Sequence, residues 1–340
     1  MQYHVQSFGS RSLSDILHTG HTTSMILLEN IDGKIWNIET KVIDMVQEYQ
    51  QQGNLTINLN CEGPCCESLG LYSILDHMCE KFNWDKKKIT IETANRIEKH
   101  DEYNIVLWPS DNINWADLQD LDLTKQDDLK HAGLLVGRSN CGRLWLSGWI
   151  FKHYRDQTMM SFHFDPAHDY HLAHIGLDDM LRWQATLSDV QDAMDLITRS
   201  PLTLDGPSNY PIIPPENLHV IRAYKNFFLD IVMETYFSGN TFFMTEKIVR
   251  PMMARTPFIV FASPEWLLRL KELGFQTFER WWSEAYDDYS EGERIVRMQT
   301  LLRDIYAKSS EELLDMLHDM RPVLEHNRNM ILNNENIALC

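Results

Sequence analysis

Short apolar runs alternate along the chain with segments whose apolar residues recur at helical spacing. "NLTINLNC" (54–61) alternates polar and apolar residues, as a half-buried strand does. "SLGLYSILDHMCEKF" (68–82) follows with the helical period, and "KKITIET" (87–93) and "YNIVLWP" (103–109) predict two more strands. This strand–helix–strand order is typical of a parallel sheet with helices on its faces.

The same alternation begins again after residue 131. "AGLLVGRSN" (132–140) predicts a strand followed by a short loop, and further strands are predicted for "TMMSFHF" (158–164), "NFFLDIVME" (226–234), "NTFFM" (240–244) and "PFIVFAS" (257–263). Helices are predicted for "CGRLWLSGWIFKHYRD" (141–156), "TEKIVRPMMA" (245–254), "PEWLLRLKELG" (264–274) and most of the chain after residue 290.

A polar and acidic stretch, residues 110–131, separates these two series and predicts the crossing between two domains, 1–125 and 126–340. In open α/β sheets, ligands bind beyond the carboxyl ends of the strands. That rule directs attention to four loops, "NCEGP", "ETANR", "GRSNCGR" and "MTEK".

Composition narrows the class of partner. The 340 residues are 44% hydrophobic and 11% aromatic, which indicates a folded chain with a large core. A net charge of −18 makes nucleic acid an unexpected partner, because the surface would repel phosphates. No apolar run is long enough for a membrane span, and the polar amino terminus does not resemble a secretory signal, so we expect a cytoplasmic protein.

Two clusters of potential metal ligands are weak signals. "CEGPCCE" (61–67) lacks the paired spacing of zinc sites, and reduced cysteines are the simpler interpretation. "FHFDPAHDYHLAH" (162–174) holds histidines and aspartates that a surface loop can also accumulate by chance. We therefore expect no metal site.

The loop "MTEK" is the first candidate site. Thr245 is a plausible N-cap, which places Glu246 and Lys247 in the first helical turn. The N–H groups and positive dipole end of such a turn attract phosphate, Lys247 adds charge, and the Glu246 carboxylate suits the two vicinal hydroxyls of a ribose. An ordinary cap with solvated charges is the alternative.

The loop "GRSNCGR" is the second candidate. Arg138 and Arg143 flank a small polar turn that follows a strand, and a guanidinium group matches phosphate oxygens well. Surface arginines on a helix face are an equally good interpretation of this stretch alone.

Taken in order, the two loops resemble the donor half of the alpha-1,3-fucosyltransferase family, in which an arginine follows an "SN" loop and an acidic strand end leads to "TEK". The resemblance covers residues from about 130 to 262, and "TEKIVRPMMARTPFIVFAS" is also similar to fucosyltransferase-like proteins of viral and bacterial genomes. The residues that match are Ser139, Asn140, Arg143, Glu234, Thr245, Glu246, Lys247 and Pro257.

The resemblance implies an α/β fold of the GT-B type, with two Rossmann-like domains facing a cleft and additional carboxy-terminal helices. Residues 1–125 would bind the acceptor and residues 126–340 the donor. Arg143 and Lys247 would hold the diphosphate, with Arg138, Ser139, Asn140, Glu234 and Thr245 around it, and Glu246 would bind the ribose.

The implied reaction is an inverting transfer of a sugar from a nucleotide-diphosphate sugar, GDP-fucose or another GDP- or UDP-linked sugar, to a hydroxyl of a glycan or other acceptor. No cofactor is required, and a divalent ion is compatible but not expected to be essential, because Arg143 and Lys247 can neutralise the leaving diphosphate. Two alternatives stay open: a non-catalytic nucleotide- or glycan-binding protein, and a glycosyltransferase acting on modified nucleic-acid bases.

An inverting transfer also needs a carboxylate that takes the proton of the acceptor hydroxyl. Glu62 directly follows the strand "NLTINLNC" and is the first candidate for this base. Glu67, Glu92 and Glu98 are rivals, and a turn or cap residue is the structural alternative for Glu62.

Overall fold

The structure is a computed structural model that describes residues 3–4, 30–31, 34–35, 49, 51–59, 63–68, 70–107, 123–137, 140–164, 176–204, 218–237 and 239–333. The chain divides into two compact units. Unit 1 consists of Met1–Asn112, Ser238–Phe243 and Ala338–Cys340, and unit 2 of Ile113–Phe237 and Met244–Ile337. Both contain parallel sheets and helices, which confirms the predicted α/β class.

Unit 1 is built on a parallel sheet whose strands lie in the order β1-β4-β5-β6. A two-stranded antiparallel pair, β2 with β3, belongs to the same part of the chain. The elements of unit 1 include β1 (Tyr3–His4), β2 (Asn30–Ile31), β3 (Lys34–Ile35), β4 (Leu55–Asn58), α1 (Leu71–Phe82), β5 (Ile89–Thr93) and β6 (Asn104–Leu107), with a 3-10 helix at Lys86–Lys88.

The apolar face of α1 packs on strands β4 and β5. Leu71, Leu75 and Met78 of the helix lie in one buried cluster with Ile57 and Ile91 of the strands. Helical spacing on one element and alternation on the others therefore build the core that the sequence predicted.

Unit 2 contains a second parallel sheet, whose strands lie in the order β10-β9-β7-β8. Its strands are β7 (Lys130–Val136), β8 (Thr158–Phe162), β9 (Phe227–Met233) and β10 (Phe258–Phe261). Its helices include α2 (Cys141–Tyr154), α3 (Leu187–Arg199), α4 (Leu218–Arg222), α5 (Glu246–Met253), α6 (Trp266–Glu272), α7 (Glu291–Tyr306) and α8 (Ser310–Asn333). Further 3-10 helices lie at Arg155–Gln157, Ala223–Asn226 and Ala285–Asp288.

The strand order of unit 2 contains a reversal. The chain passes from β7 through α2 to β8 on one side, and then returns to place β9 on the other side of β7. The loops after β7 and β9 therefore diverge at the carboxyl edge of the sheet, where open α/β sheets bind ligands. All seven residues of β9 are buried, as expected for a parallel strand covered on both faces.

Helix α2 approaches α3 closely because a glycine lies at the contact. A Cβ atom added to Gly148 would lie 2.6 Å from the nitrogen and 2.7 Å from the Cα of Ala193, both backbone atoms of α3. Helix α3 itself begins with a capping box between Thr186 and Asp189.

One predicted strand is wrong. "NTFFM" (240–244) forms no strand, and its residues up to Phe243 belong to unit 1. The backbone of this segment forms hydrogen bonds with the side chain of Asn95 instead of with a neighbouring strand. Phe242 N donates to Asn95 Oδ1 at 2.9 Å, and Asn95 Nδ2 donates to Asn240 O at 3.0 Å. Arg96 N donates to Phe242 O at 2.8 Å.

The other elements discussed above lie within a few residues of their predicted bounds. Within the described ranges, no helix combines the length and the apolar character that crossing a membrane requires.

Candidate functional site

The candidate site lies in unit 2, where β7 and β9 end. Arg138 and Ser139, in the loop after β7, lie outside the described residues. The next residue, Asn140, is the N-cap of α2, and its Oδ1 accepts a hydrogen bond from Arg143 N at 3.1 Å. The predicted start of this helix is therefore confirmed, and its first turn points out of the β7 end.

Arg143 joins this turn to the end of β9. Its side chain is buried, and its Nη2 donates to the carbonyl oxygens of Met233 at 3.0 Å and Glu234 at 2.8 Å. The guanidinium charge therefore lies at the point of strand reversal, although part of its donor capacity holds the backbone of β9.

Glu234, the residue directly after β9, connects α2 with α5. It is 2% exposed, and its Oε2 accepts a hydrogen bond from Thr245 Oγ1 at 2.7 Å. No donor from the described part of the chain reaches its buried Oε1. Burial raises the pKa of Glu234 above its usual value, while Lys247 and the Thr245 hydrogen bond oppose that rise.

Thr245 is the N-cap of α5, as the sequence predicted. Its Oγ1 accepts from Lys247 N at 3.2 Å, so one hydroxyl both caps the helix and donates to Glu234. The amino ends of α2 and α5 thus both meet Glu234, the first through Arg143 and the second through Thr245. The positive end of the α5 dipole therefore lies at Glu234, and the amino end of α2 is linked to it by the Arg143 side chain.

Lys247 lies between two carboxylates. Its Nζ is 3.4 Å from Glu246 Oε1 and 4.0 Å from Glu234 Oε2. It also donates to Thr245 Oγ1 at 3.2 Å and lies 3.5 Å from Thr235 Oγ1. The Lys247 side chain is 20% exposed, so it remains partly accessible to solvent.

Glu246 is held in its charged form. Burial raises its pKa, but the charges of Lys247 and then Arg250, together with its own backbone N–H, outweigh burial, so the pKa lies below its usual value. Arg250 follows Glu246 by one helical turn and is 3% exposed. Its Nε and Nη1 find no hydrogen-bond partner among the described residues, so it acts on the carboxylates through its charge.

A buried polar group on β9 interacts with the same arginine. Asp230 is 2% exposed and accepts a hydrogen bond from Tyr224 Oη at 2.5 Å. Burial raises the pKa of Asp230 to about 6, and the charges of Arg250 and Lys125 limit that rise. Asp230, on β9, is thus a buried carboxylate that the charge of Arg250 stabilises in the core.

Lys125 fastens the segment before β7 to this core. Its Nζ donates to Tyr224 O at 2.6 Å, to Phe227 O at 2.7 Å and to Thr256 Oγ1 at 2.7 Å. Burial lowers the pKa of Lys125 to about 7. These contacts fix the start of β9, and through it the position of Glu234.

The structure brings together six of the predicted binding residues: Asn140, Arg143, Glu234, Thr245, Glu246 and Lys247. Sequence reasoning missed Arg250 and Asp230. Two signals pointed to them: Arg250 lies four residues after Glu246 on the same helix, and Asp230 is the one charged residue within the apolar run "FFLDIVM".

The predicted catalytic base, Glu62, lies outside the described residues. Among its rivals in unit 1, Glu67 is exposed and Glu92 lies half-buried on β5. Glu98 receives three hydrogen bonds, from Tyr72 Oη at 2.7 Å, Cys66 N at 3.1 Å and Asn95 Nδ2 at 3.0 Å. Those donors make Glu98 a structural anchor of the loops at the carboxyl ends of β4 and β5.

Most of the histidine-rich stretch, residues 165–174, also lies outside the described residues. In the ranges that are described, no cluster of three or more histidine, cysteine, aspartate or glutamate side chains is arranged to hold a metal ion.

Comparison of the chain with protein-family models, curated proteins and solved structures finds no match. Any functional inference therefore rests on the chemistry of the site itself.

Proposed function

We propose that this chain is a glycosyltransferase that uses a nucleotide-diphosphate sugar as donor and binds it in unit 2. One observation carries the proposal: the amino ends of α2 and α5 meet at Glu234, at the strand reversal of a parallel sheet, with Arg143 and Lys247 beside it. Helix amino ends and cations together form a binding site for phosphate groups.

The charges of this site fit a diphosphate leaving group. When the bond between sugar and diphosphate breaks, negative charge grows on the phosphate oxygens, and fixed positive groups stabilise that change most. Lys247 supplies an accessible ammonium group, and Arg143 a buried guanidinium charge at the same edge. Glu246, kept ionised by Lys247 and Arg250, is the acceptor for the ribose hydroxyls.

The proposal includes the GT-B type of organisation, in which the amino-terminal domain binds the acceptor and supplies the base. Unit 1 takes this role, with Glu62 as the proposed base, and the transfer is inverting. The acceptor is a hydroxyl of a glycan or another molecule, and the protein is expected to act in the cytoplasm.

A thermal-shift screen with GDP, UDP, ADP, CDP and dTDP tests the donor site. A ligand at 100 times its dissociation constant stabilises the folded state by about 2.7 kcal/mol. For a unit of this size that corresponds to a rise of about 5–10 °C in Tm. Lys247→Ala should abolish most of the rise for the diphosphate that binds.

Lys152→Ala is the matched control. Lys152 lies in the last turn of α2, half-exposed, and pairs with Asp195 at 3.1 Å, so its loss removes the same charge from the same unit away from the site. A diphosphate that stabilises the wild type and Lys152→Ala equally, but not Lys247→Ala, supports the proposal. If none of the five diphosphates stabilises the wild type, the nucleotide-sugar function is wrong.

Transfer itself separates an enzyme from a non-catalytic binding protein. The nucleotide sugar that matches the stabilising diphosphate should release that diphosphate in the presence of a glycan acceptor mixture. Binding without release would favour the non-catalytic alternative on the same fold.

A further inference from the structure

The side chain of Glu234 carries an acceptor atom to which none of the described residues donates a hydrogen bond. The residue is 2% exposed, its Oε2 is bonded to Thr245, and its buried Oε1 has no donor from the described part of the chain. A buried carboxylate oxygen without a donor destabilises the folded state, and such atoms are rare in native proteins. Because this oxygen lies in a site that contains two cationic side chains, it indicates that a bound ligand supplies the missing hydrogen-bond donor.

The geometry of the site determines where the donor group of the ligand must lie. The Thr245 hydrogen bond directs the carboxylate of Glu234 to the amino end of α5, and Lys247 Nζ lies 4.0 Å from Oε2. Lys247 is also 3.4 Å from Glu246, so two carboxylates flank one accessible ammonium group. A group that reaches Oε1 is therefore next to whatever anion Lys247 binds.

The chemistry of Oε1 determines the ligand class. An ionised carboxylate only accepts hydrogen bonds, and it repels the oxygens of a bare phosphate. A hydroxyl group is the complementary partner, and diphosphate esters of sugars and nucleosides carry hydroxyls a few bonds from the phosphate. Inorganic diphosphate has the charge for Lys247 but no alcohol hydroxyl for Glu234.

We propose that Glu234 is a specificity-determining residue whose Oε1 accepts a hydrogen bond from a hydroxyl of the bound diphosphate ester, so that the site selects hydroxylated organic diphosphates over inorganic diphosphate. This inference rests on the proposed function and names the substrate class of the same site. The hydroxyl belongs either to the ribose or to the transferred sugar, and the two sources share the chemistry that Glu234 recognises.

Glu234→Gln tests the inference because it keeps the size and removes the charge. Burying a neutral amide costs less free energy than burying a carboxylate, so the variant without ligand should have a Tm equal to or above that of the wild type. Its affinity for the diphosphate ester should fall about tenfold, because a hydrogen bond to a charged acceptor is about twice as strong as one to a neutral acceptor. A purely structural Glu234 predicts the reverse, a lower Tm and an unchanged affinity.

Glu284→Gln is the matched control in the same unit. Glu284 is also largely buried, but both of its oxygens have partners, Oε2 from Thr277 Oγ1 at 2.7 Å and Oε1 from Phe278 N at 2.7 Å. This variant should lose stability and keep its affinity for ligands.

Isothermal titration of the full chain with GDP, 2′,3′-dideoxy-GDP, GDP-fucose and inorganic diphosphate separates the outcomes, or with the UDP series if the screen selects uridine. If the hydroxyl is on the ribose, the preference for GDP over its dideoxy analogue shrinks in Glu234→Gln. If it is on the transferred sugar, only the affinity for GDP-fucose falls. Unchanged affinities for all three nucleotides overturn the inference.

Failure of the inference and failure of the function give different results. A wild type that binds none of the nucleotides refutes the nucleotide-sugar function, whereas a wild type that binds them with the same affinities as Glu234→Gln refutes only the role of Glu234. Should Glu234→Gln fail to fold, Glu234→Asp retains the charge but withdraws Oε1 by one methylene, and it should show the same loss of affinity.

Discussion

Replacing Asp230 by asparagine should change how the stability of the protein depends on pH. Asp230 is 2% exposed and accepts a 2.5 Å hydrogen bond from Tyr224 Oη, and an asparagine Oδ1 accepts the same bond. The charged groups that act on Asp230 are Arg250 and Lys125, and both persist in the variant. The substitution therefore removes an ionisable carboxyl with little change of shape.

The size of the effect follows from the pKa of the Asp230 carboxyl. Burial raises it from 3.8 to about 6, which corresponds to about 3 kcal/mol of folding free energy. Well below pH 3.8 the carboxyl is protonated in both states and does not affect the free energy of unfolding. As the pH rises from about 4 to 6, the unfolded chain ionises first, so the free energy of unfolding of the wild type falls.

The assay is urea unfolding of wild type and Asp230→Asn at pH 4.0, 5.0, 6.0 and 6.5, followed by circular dichroism. The free energy of unfolding of the variant minus that of the wild type should increase by about 2 kcal/mol over this range, because part of the effect lies below pH 4. Asp195→Asn serves as control: hydrogen bonds from Gln191 and Lys152 lower the pKa of Asp195, so this carboxyl titrates below the assayed range and the difference should stay nearly constant from pH 4.0 to 6.5. A difference that stays constant with pH for Asp230→Asn would show that burial does not alter this carboxyl, and would refute the reasoning.

Three further substitutions test the packing and the links around the site. Gly148→Ala places a Cβ 2.6 Å from the α3 backbone, and the overpacking should cost about 2 kcal/mol and lower Tm by several degrees. Thr245→Val removes both the cap of α5 and the hydrogen bond to Glu234; a loss of about 1–2 kcal/mol in urea unfolding is expected, and an unchanged midpoint would contradict the double role. Asn95→Ala removes the acceptor of Phe242 N, whose amide should then exchange with deuterium at least tenfold faster.

The sheet of unit 2 was predictable because parallel strands that are covered on both faces have continuous apolar runs in their sequences. "FFLDIVM" and "FIVF" are buried at every position, and few other structures accommodate such runs next to helical segments. The cap Thr245 was predicted for a local reason, since a cap needs only its own side chain and the next turn.

"NTFFM" has the same composition as those strands, and its wrong prediction shows where local patterns stop being informative. Its partner is Asn95, which lies 145 residues before Asn240 in the chain. A prediction from local sequence patterns considers segments far too short to contain both Asn95 and Asn240. The role of Arg250 was hidden in a similar way, because its interaction with Asp230 depends on how α5 packs on β9.

The short segment Ser238–Phe243 determines how the two units can be expressed as separate fragments. It belongs to unit 1, while its neighbours on both sides belong to unit 2, so a single cut cannot yield two fragments that each encode a whole unit. A fragment that ends at residue 112 would leave Asn95 and the carbonyl of Gly63 without the partners that Phe242 and Thr241 supply. Separate expression would require transplanting these six residues to the first fragment, and a synthetic peptide of the same sequence is the natural reagent for restoring that fragment by complementation.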